Sequence, residues 1–192
     1  MSRTIFCILS VCYVGQAMCF CANTEAATDS KKENALSVSE ILRNGRFVGT
    51  FPSERQLIAQ CGNGVVRRPY ADEILHIYFL AEKNLWLQCT IEGNSLIGPV
   101  TDILISSVPL HKNKVSPRCS INTASIYGIG VGDDARNVLR KLGEPIRTEQ
   151  ERIGSRTFTV YRYNTVPFEL GTLITFYLAR KRVVAFSTAS PE

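Results

Sequence analysis

Histidine is scarce in this chain: His76 and His111 are the two among 192 residues. Neither HExxH nor a Cys/His cluster is present, so a zinc centre has little to build on. A GxSxG nucleophile turn is missing too. The run Gly128-Ile129-Gly130-Val131-Gly132 lacks the Lys-Ser/Thr that a phosphate loop requires, and reads as a glycine-rich entry to a helix. Proline (8) and glycine (13) are too few for collagen or low-complexity sequence. With 45% hydrophobic and 20% charged residues, a mostly disordered chain is excluded. Acidic residues are absent before Glu25, and again from Leu110 to Ser125, which carries His111, Lys112, Lys114 and Arg118. That second stretch reads as a solvated cationic linker.

What is present begins with an export signal. Arg3 is the one charge before Glu25, and Ile5 to Ala22 is uncharged and mostly apolar. A basic start, an apolar run and small residues after it predict a secretory signal cut after Ala17, Cys19 or Ala22. An uncleaved or lipidated anchor is the alternative, which would give membrane association through the N-terminus. Removing residues 1–22 leaves Cys61, Cys89 and Cys119, and a net charge of +4 in place of +5. Export to an oxidising compartment predicts one disulfide among these three, with the pairing open.

The remainder reads as a helix-and-strand pattern repeated at 81 residues. Ser37 with Glu40 predicts a short first helix ending at Asn44-Gly45. Ser53 caps the next helix, with Gln56 three residues on, a Leu57/Ile58/Cys61 stripe, and Gly62 as the stop. Asp134, Asn137, the stripe Val138/Leu139/Leu142, and Gly143 restate that pattern 81 residues later. Strands are predicted at 74–81, 85–92 and 101–108, then at 156–163, 173–178 and 183–187, with Arg180-Lys181-Arg182 at the last turn. Alternation places Leu85, Leu87, Cys89 and Ile91 on one apolar face. The expectation is an α+β fold of two tandem helix-plus-three-stranded-antiparallel-sheet units. Its divisions are 1–22 as signal peptide, 23–45 as a lead-in with a short helix, 46–109 as the first unit, 110–125 as linker, and 126–192 as the second unit.

The segment Gly132 to Pro145 resembles the SmpA/BamE-like family of bacterial envelope proteins. Gly132, Val138, Leu142, Gly143 and Pro145 fill that family's positions, with Asp134 where it often has Ser or Thr. The first copy departs from the pattern at Phe51 and Gly64. The resemblance implies a β-lactamase-inhibitor-protein-like (BLIP-like) arrangement of two units side by side, whose joined sheet offers a concave protein-binding face. Its motif residues are structural and carry no chemistry.

Sequence alone therefore points to an exported, non-catalytic binding module, periplasmic or secreted, acting on another protein as an assembly factor or inhibitor. Tyr78, Trp86 and Tyr161 are the candidate protein-binding residues, on the sheet face opposite the apolar one. Cys61, Cys89 and Cys119 are the disulfide candidates. No catalytic residue, metal, cofactor or nucleic-acid partner is expected. The competing reading is a small secreted hydrolase using His76 with a Ser or Cys nucleophile.

Overall fold

Local chemistry sets both helices. In α1 (Glu54–Cys61), the Ser53 hydroxyl accepts from the Gln56 amide at 3.3 Å, and the Ser53 amide donates to Gln56 Oε1 at 2.8 Å. This reciprocal cap satisfies two amides that the first turn would leave open. Gly62, at φ +77°, ends the helix. In α2 (Ala135–Leu142), Asp134 Oδ1 accepts from the Arg136 amide at 2.9 Å. Gly143 ends it at φ +76°.

The strands are β1 (Val65–Arg67), β2 (Glu73–Leu80), β3 (Leu85–Glu92), β4 (Val100–Ser106), β5 (Ser125–Ile126), β6 (Ile129–Gly130), β7 (Arg147–Ile153), β8 (Arg156–Asn164), β9 (Leu173–Ala179) and β10 (Arg182–Ala189). This computed structural model describes residues 52–93, 99–121, 124–153, 155–164 and 172–189, all within the compact unit Glu33–Glu192. The predicted signal peptide and the predicted Ser37 helix lie outside the described residues. Among the described residues, no helix is long and apolar enough to cross a membrane.

Eight strands form one antiparallel sheet in the order β1-β2-β3-β4-β10-β9-β8-β7, and β5 and β6 make a separate small hairpin. This corrects the expected fold class. Among the described residues the protein is mainly β, with two short α-helices on one continuous sheet, not two tandem helix-plus-three-strand units. The seam is the reason. Asp102 to Ser106 of β4 pair with Ala185 to Ala189 of β10, so strands expected at the edges of two sheets lie at the centre of one. Two further strands, β1 and β7, extend its ends. β1 has three residues, and β7 (Arg-Thr-Glu-Gln-Glu-Arg-Ile) is too polar to show apolar alternation.

Both helices lie on one face of the sheet. There Leu57, Cys61 and Val138 join Tyr78, Leu87, Ile105, Phe176 and Phe186 in the main core. Among the described residues, the opposite, outer face is only partly covered. After β4 the chain runs back across it as a strap. Leu110 packs on a second cluster of Ile77, Phe79 and Trp86, and Lys114 Nζ sits 4.1 Å from the Phe79 ring centroid. The strap then joins the edge of β2, where the Phe79 amide donates to the Val115 carbonyl at 2.8 Å. The expected solvated linker is thus, in part, a packed cover.

Candidate protein-binding face

The strap and the two-residue alternation of strands decide the fate of the candidate aromatics. Tyr78 stands opposite Leu87, whereas Trp86 stands opposite Phe79. Tyr78 and Trp86 therefore point to opposite faces of the sheet and cannot share a surface. Tyr78 lies in the helix-side core, its hydroxyl donating to the Gly62 carbonyl at 2.7 Å. Its ring crowds Gly64, where a Cβ would come within 2.7 Å of Tyr78 Cε1 and of the Ile77 carbonyl. Trp86 is on the outer face but only 3% exposed, its ring tilted against Phe79 at a centroid distance of 5.1 Å and packed with Leu110. Tyr161 is half-buried, packed against the main core on the helix side. The expected exposed set of Tyr78, Trp86 and Tyr161 is corrected accordingly: alternation separates Tyr78 and Tyr161 from Trp86, and the strap hides the last.

Of the three candidate cysteines, Cys61 and Cys119 are joined. The bond ties the end of α1 to the end of the strap, and the Arg118 amide donates to the Cys61 carbonyl at 2.9 Å beside it. Cys89 is free and buried on the helix-side face, and its burial pushes the thiol well above its ordinary range. A thiol held neutral in this way is a poor nucleophile.

His76 is fully buried, with both ring nitrogens engaged. Nδ1 lies 2.9 Å from the Asn63 carbonyl and Nε2 lies 3.0 Å from Glu54 Oε1. A carbonyl can only accept, so Nδ1 carries a hydrogen, and one further proton lies on the line between Nε2 and Glu54. The pair fastens the first residue of α1 to the middle of β2. Glu54 Oε2 is buried with no hydrogen-bond partner among the described residues. His111 sits in a local turn, its Nδ1 accepting from the Asn113 amide at 3.0 Å.

The hollow that sequence reasoning missed lies on the outer face beside the strap. Leu104, Val108, Leu110, Phe158, Tyr177 and Val184 line an apolar cavity of about 130 Å³. The local cause is a β-bulge. The register of β10 slips between Val183 and Ala185, which puts the successive side chains of Val184 and Ala185 into one groove. The Val184 carbonyl is held by the Ser107 amide at 2.8 Å. A wider, more open cleft of about 580 Å³ continues from it past Thr157 and Thr159 to Arg156 and Arg180. No local sequence pattern marks this groove, because its walls come from β4, the strap, β8, β9 and β10.

Charges elsewhere on that face are largely neutralised. Arg162 Nε donates to Glu149 Oε1 at 2.6 Å and Nη2 to Glu151 Oε2 at 3.4 Å, while Arg147 lies 2.8 Å from Glu149. The hydrogen bond from Arg162 is the main cause of a lowered Glu149 carboxyl. Near the start of the central strand β4, Asp102 has its carboxyl raised to about 7, first by burial and then by Glu92 and Glu73, against a lowering backbone bond at Ile103. Among the described residues, no group of three or more His, Cys, Asp or Glu is placed to hold a metal ion.

No protein-family model and no curated protein matches this chain. Among solved structures it is similar to a cysteine-rich secretory protein from Staphylococcus aureus subsp. aureus Mu50. The identity is 6%, the TM-score 0.42, and the match covers 79% of this chain and 48% of the other. This chain therefore spans about half the length of that structure. The Cys61–Cys119 disulfide itself belongs to an oxidising setting, outside the cytoplasm or in the cell envelope.

Proposed function

We propose that this chain is an exported, non-catalytic binding module that engages another protein through the outer face of its sheet. The observation that carries this reading is the groove over Phe158, Tyr177 and Val184. Among the described residues it is an apolar hollow left open, on a sheet whose other outer half is covered by the strap. Apolar hollows on an otherwise charged surface are characteristic of protein contacts. Burial and full engagement of His76, together with the raised Cys89 thiol, leave the hydrolase alternative without a supporting observation. Within this reading the site of action is the periplasm or the exterior. The N-terminal 22 residues serve as the export signal, and the resemblance at Gly132 to Pro145 supports an envelope role.

The test is co-purification of the tagged full chain from envelope extract at native expression, beside Val184→Asp and Tyr177→Ala. A partner present with the wild type and lost from both variants supports the reading. A partner held equally by all three, or no partner at all, overturns it. Trp86→Ala is not a surface probe, since Trp86 is buried.

A further inference from the structure

We infer that the groove takes a single apolar side chain of its partner, flanked by carboxylates that meet Arg156 and Arg180. This deepens the proposed binding role and rests on it. Size comes first. A cavity of roughly 150 Å³ holds one benzene ring, and small-molecule sites run to roughly 300–1,000 Å³. At about 130 Å³, the apolar hollow seats one leucine- or phenylalanine-sized group, and the open cleft of about 580 Å³ that leads out of it has room for the residues on either side of that anchor. A shallow hollow that seats one buried anchor is how protein partners are held.

Charge comes second. Arg156 and Arg180 are the charged residues lining the cleft that leads out of the hollow. Both are exposed, and neither has an acidic partner among the described residues. The nearby acids Glu149 and Glu151 are already occupied by Arg162. Two free guanidiniums at the mouth of an apolar hollow select carboxylates beside the anchor and repel cations.

Position comes third. Arg180 and Lys181 form the β9–β10 turn with φ of +50° and +64°. Such a two-residue turn favours Asn-Gly, and a long side chain there is disfavoured. The tip is nevertheless held firmly. The Ala135 amide donates to the Lys181 carbonyl and the Val183 amide to the Asp133 carbonyl, each at 2.8 Å. The chain thus keeps Arg180 on a rigid mount beside the groove at a conformational cost.

The experiment uses the oxidised, isotope-labelled full chain and a capped peptide of a central Leu-Phe pair flanked by two aspartates on each side. Amide shifts are followed during titration. Saturable changes confined to Phe158, Tyr177, Val184 and their neighbours are expected, weakened about tenfold in Arg156→Gln/Arg180→Asn, which corresponds to about 1.4 kcal/mol. The same peptide with alanines at the centre, or with lysines as flanks, should leave the spectrum unchanged. Equal binding of the lysine-flanked peptide removes the charge argument and overturns the inference. So does the absence of localised shifts. Decanoate, which joins an apolar tail to one carboxylate, is the remaining arm: binding tighter than the peptide would mean a lipid-like ligand and also overturn it. A native partner retained by Arg156→Gln/Arg180→Asn but lost from Val184→Asp would leave the binding role standing and sink the carboxylate requirement alone.

Discussion

Asp102 shows how one residue ties stability to pH. Its folded carboxyl titrates at about 7, above the unfolded value of about 3.9. The native state therefore binds the proton more tightly than the unfolded chain. The stability this group contributes is full below about pH 4 and is lost as the pH rises to about 7. Urea midpoints measured across that window should fall with pH in the wild type. Asp102→Asn should flatten the dependence and be the more stable protein at neutral pH. The buried His76–Glu54 pair works through hydrogen bonds instead. Glu54→Ala strands the Nε2 side of His76 in a dry site, at an expected cost of about 3 kcal/mol, whereas Glu54→Gln keeps an acceptor and should cost less. Thermal melts of the two variants separate a positional role from a merely space-filling one. The predicted strand 74–81 contains His76, but Glu54, 22 residues earlier, carried no signal as its partner.

At the scale of elements, the strap depends on one covalent bond. Cys61 and Cys119 are 58 residues apart, and closing a loop of that length lowers the unfolded chain's entropy by the equivalent of about 4 kcal/mol. Cys119→Ser should therefore lower the urea midpoint strongly. Trp86, the one tryptophan, lies beneath Leu110 of the strap, so its emission should shift to the red in that variant before global unfolding. Unchanged emission would mean that packing, not the bond, holds the strap down. The β9–β10 turn gives the opposite sign. Arg180→Asn with Lys181→Gly relieves two left-handed residues and should raise stability by about 1 kcal/mol, read as a higher melting temperature. Both turn and helix caps were legible in the sequence because their causes are local: Ser53 with Gln56, Asp134, Gly62 and Gly143 act within four residues.

For the whole molecule, the β4–β10 seam is decisive. Cutting the chain after the strap would turn β4 from a central strand into an open edge, from Asp102 to Ser106. A fragment of residues 46–121 is therefore expected to associate or remain unfolded, while the intact chain unfolds in one transition seen alike by Trp86 emission and far-ultraviolet dichroism. An independently folded, monomeric fragment would contradict a single cooperative sheet.

Near-neighbour chemistry set the two described helices and most strand positions, because capping, alternation and turn preferences act over a few residues. It could not determine that the strands make one sheet. It could not choose Cys119 over Cys89 for Cys61, reveal that Trp86 is covered, or disclose the groove at Phe158 and Val184. Each of these depends on contacts between residues far apart in the chain: β4 with β10, Leu110 with Trp86, Cys61 with Cys119. Side-chain alternation says that a strand has two faces, and only the tertiary fold decides what lies against each.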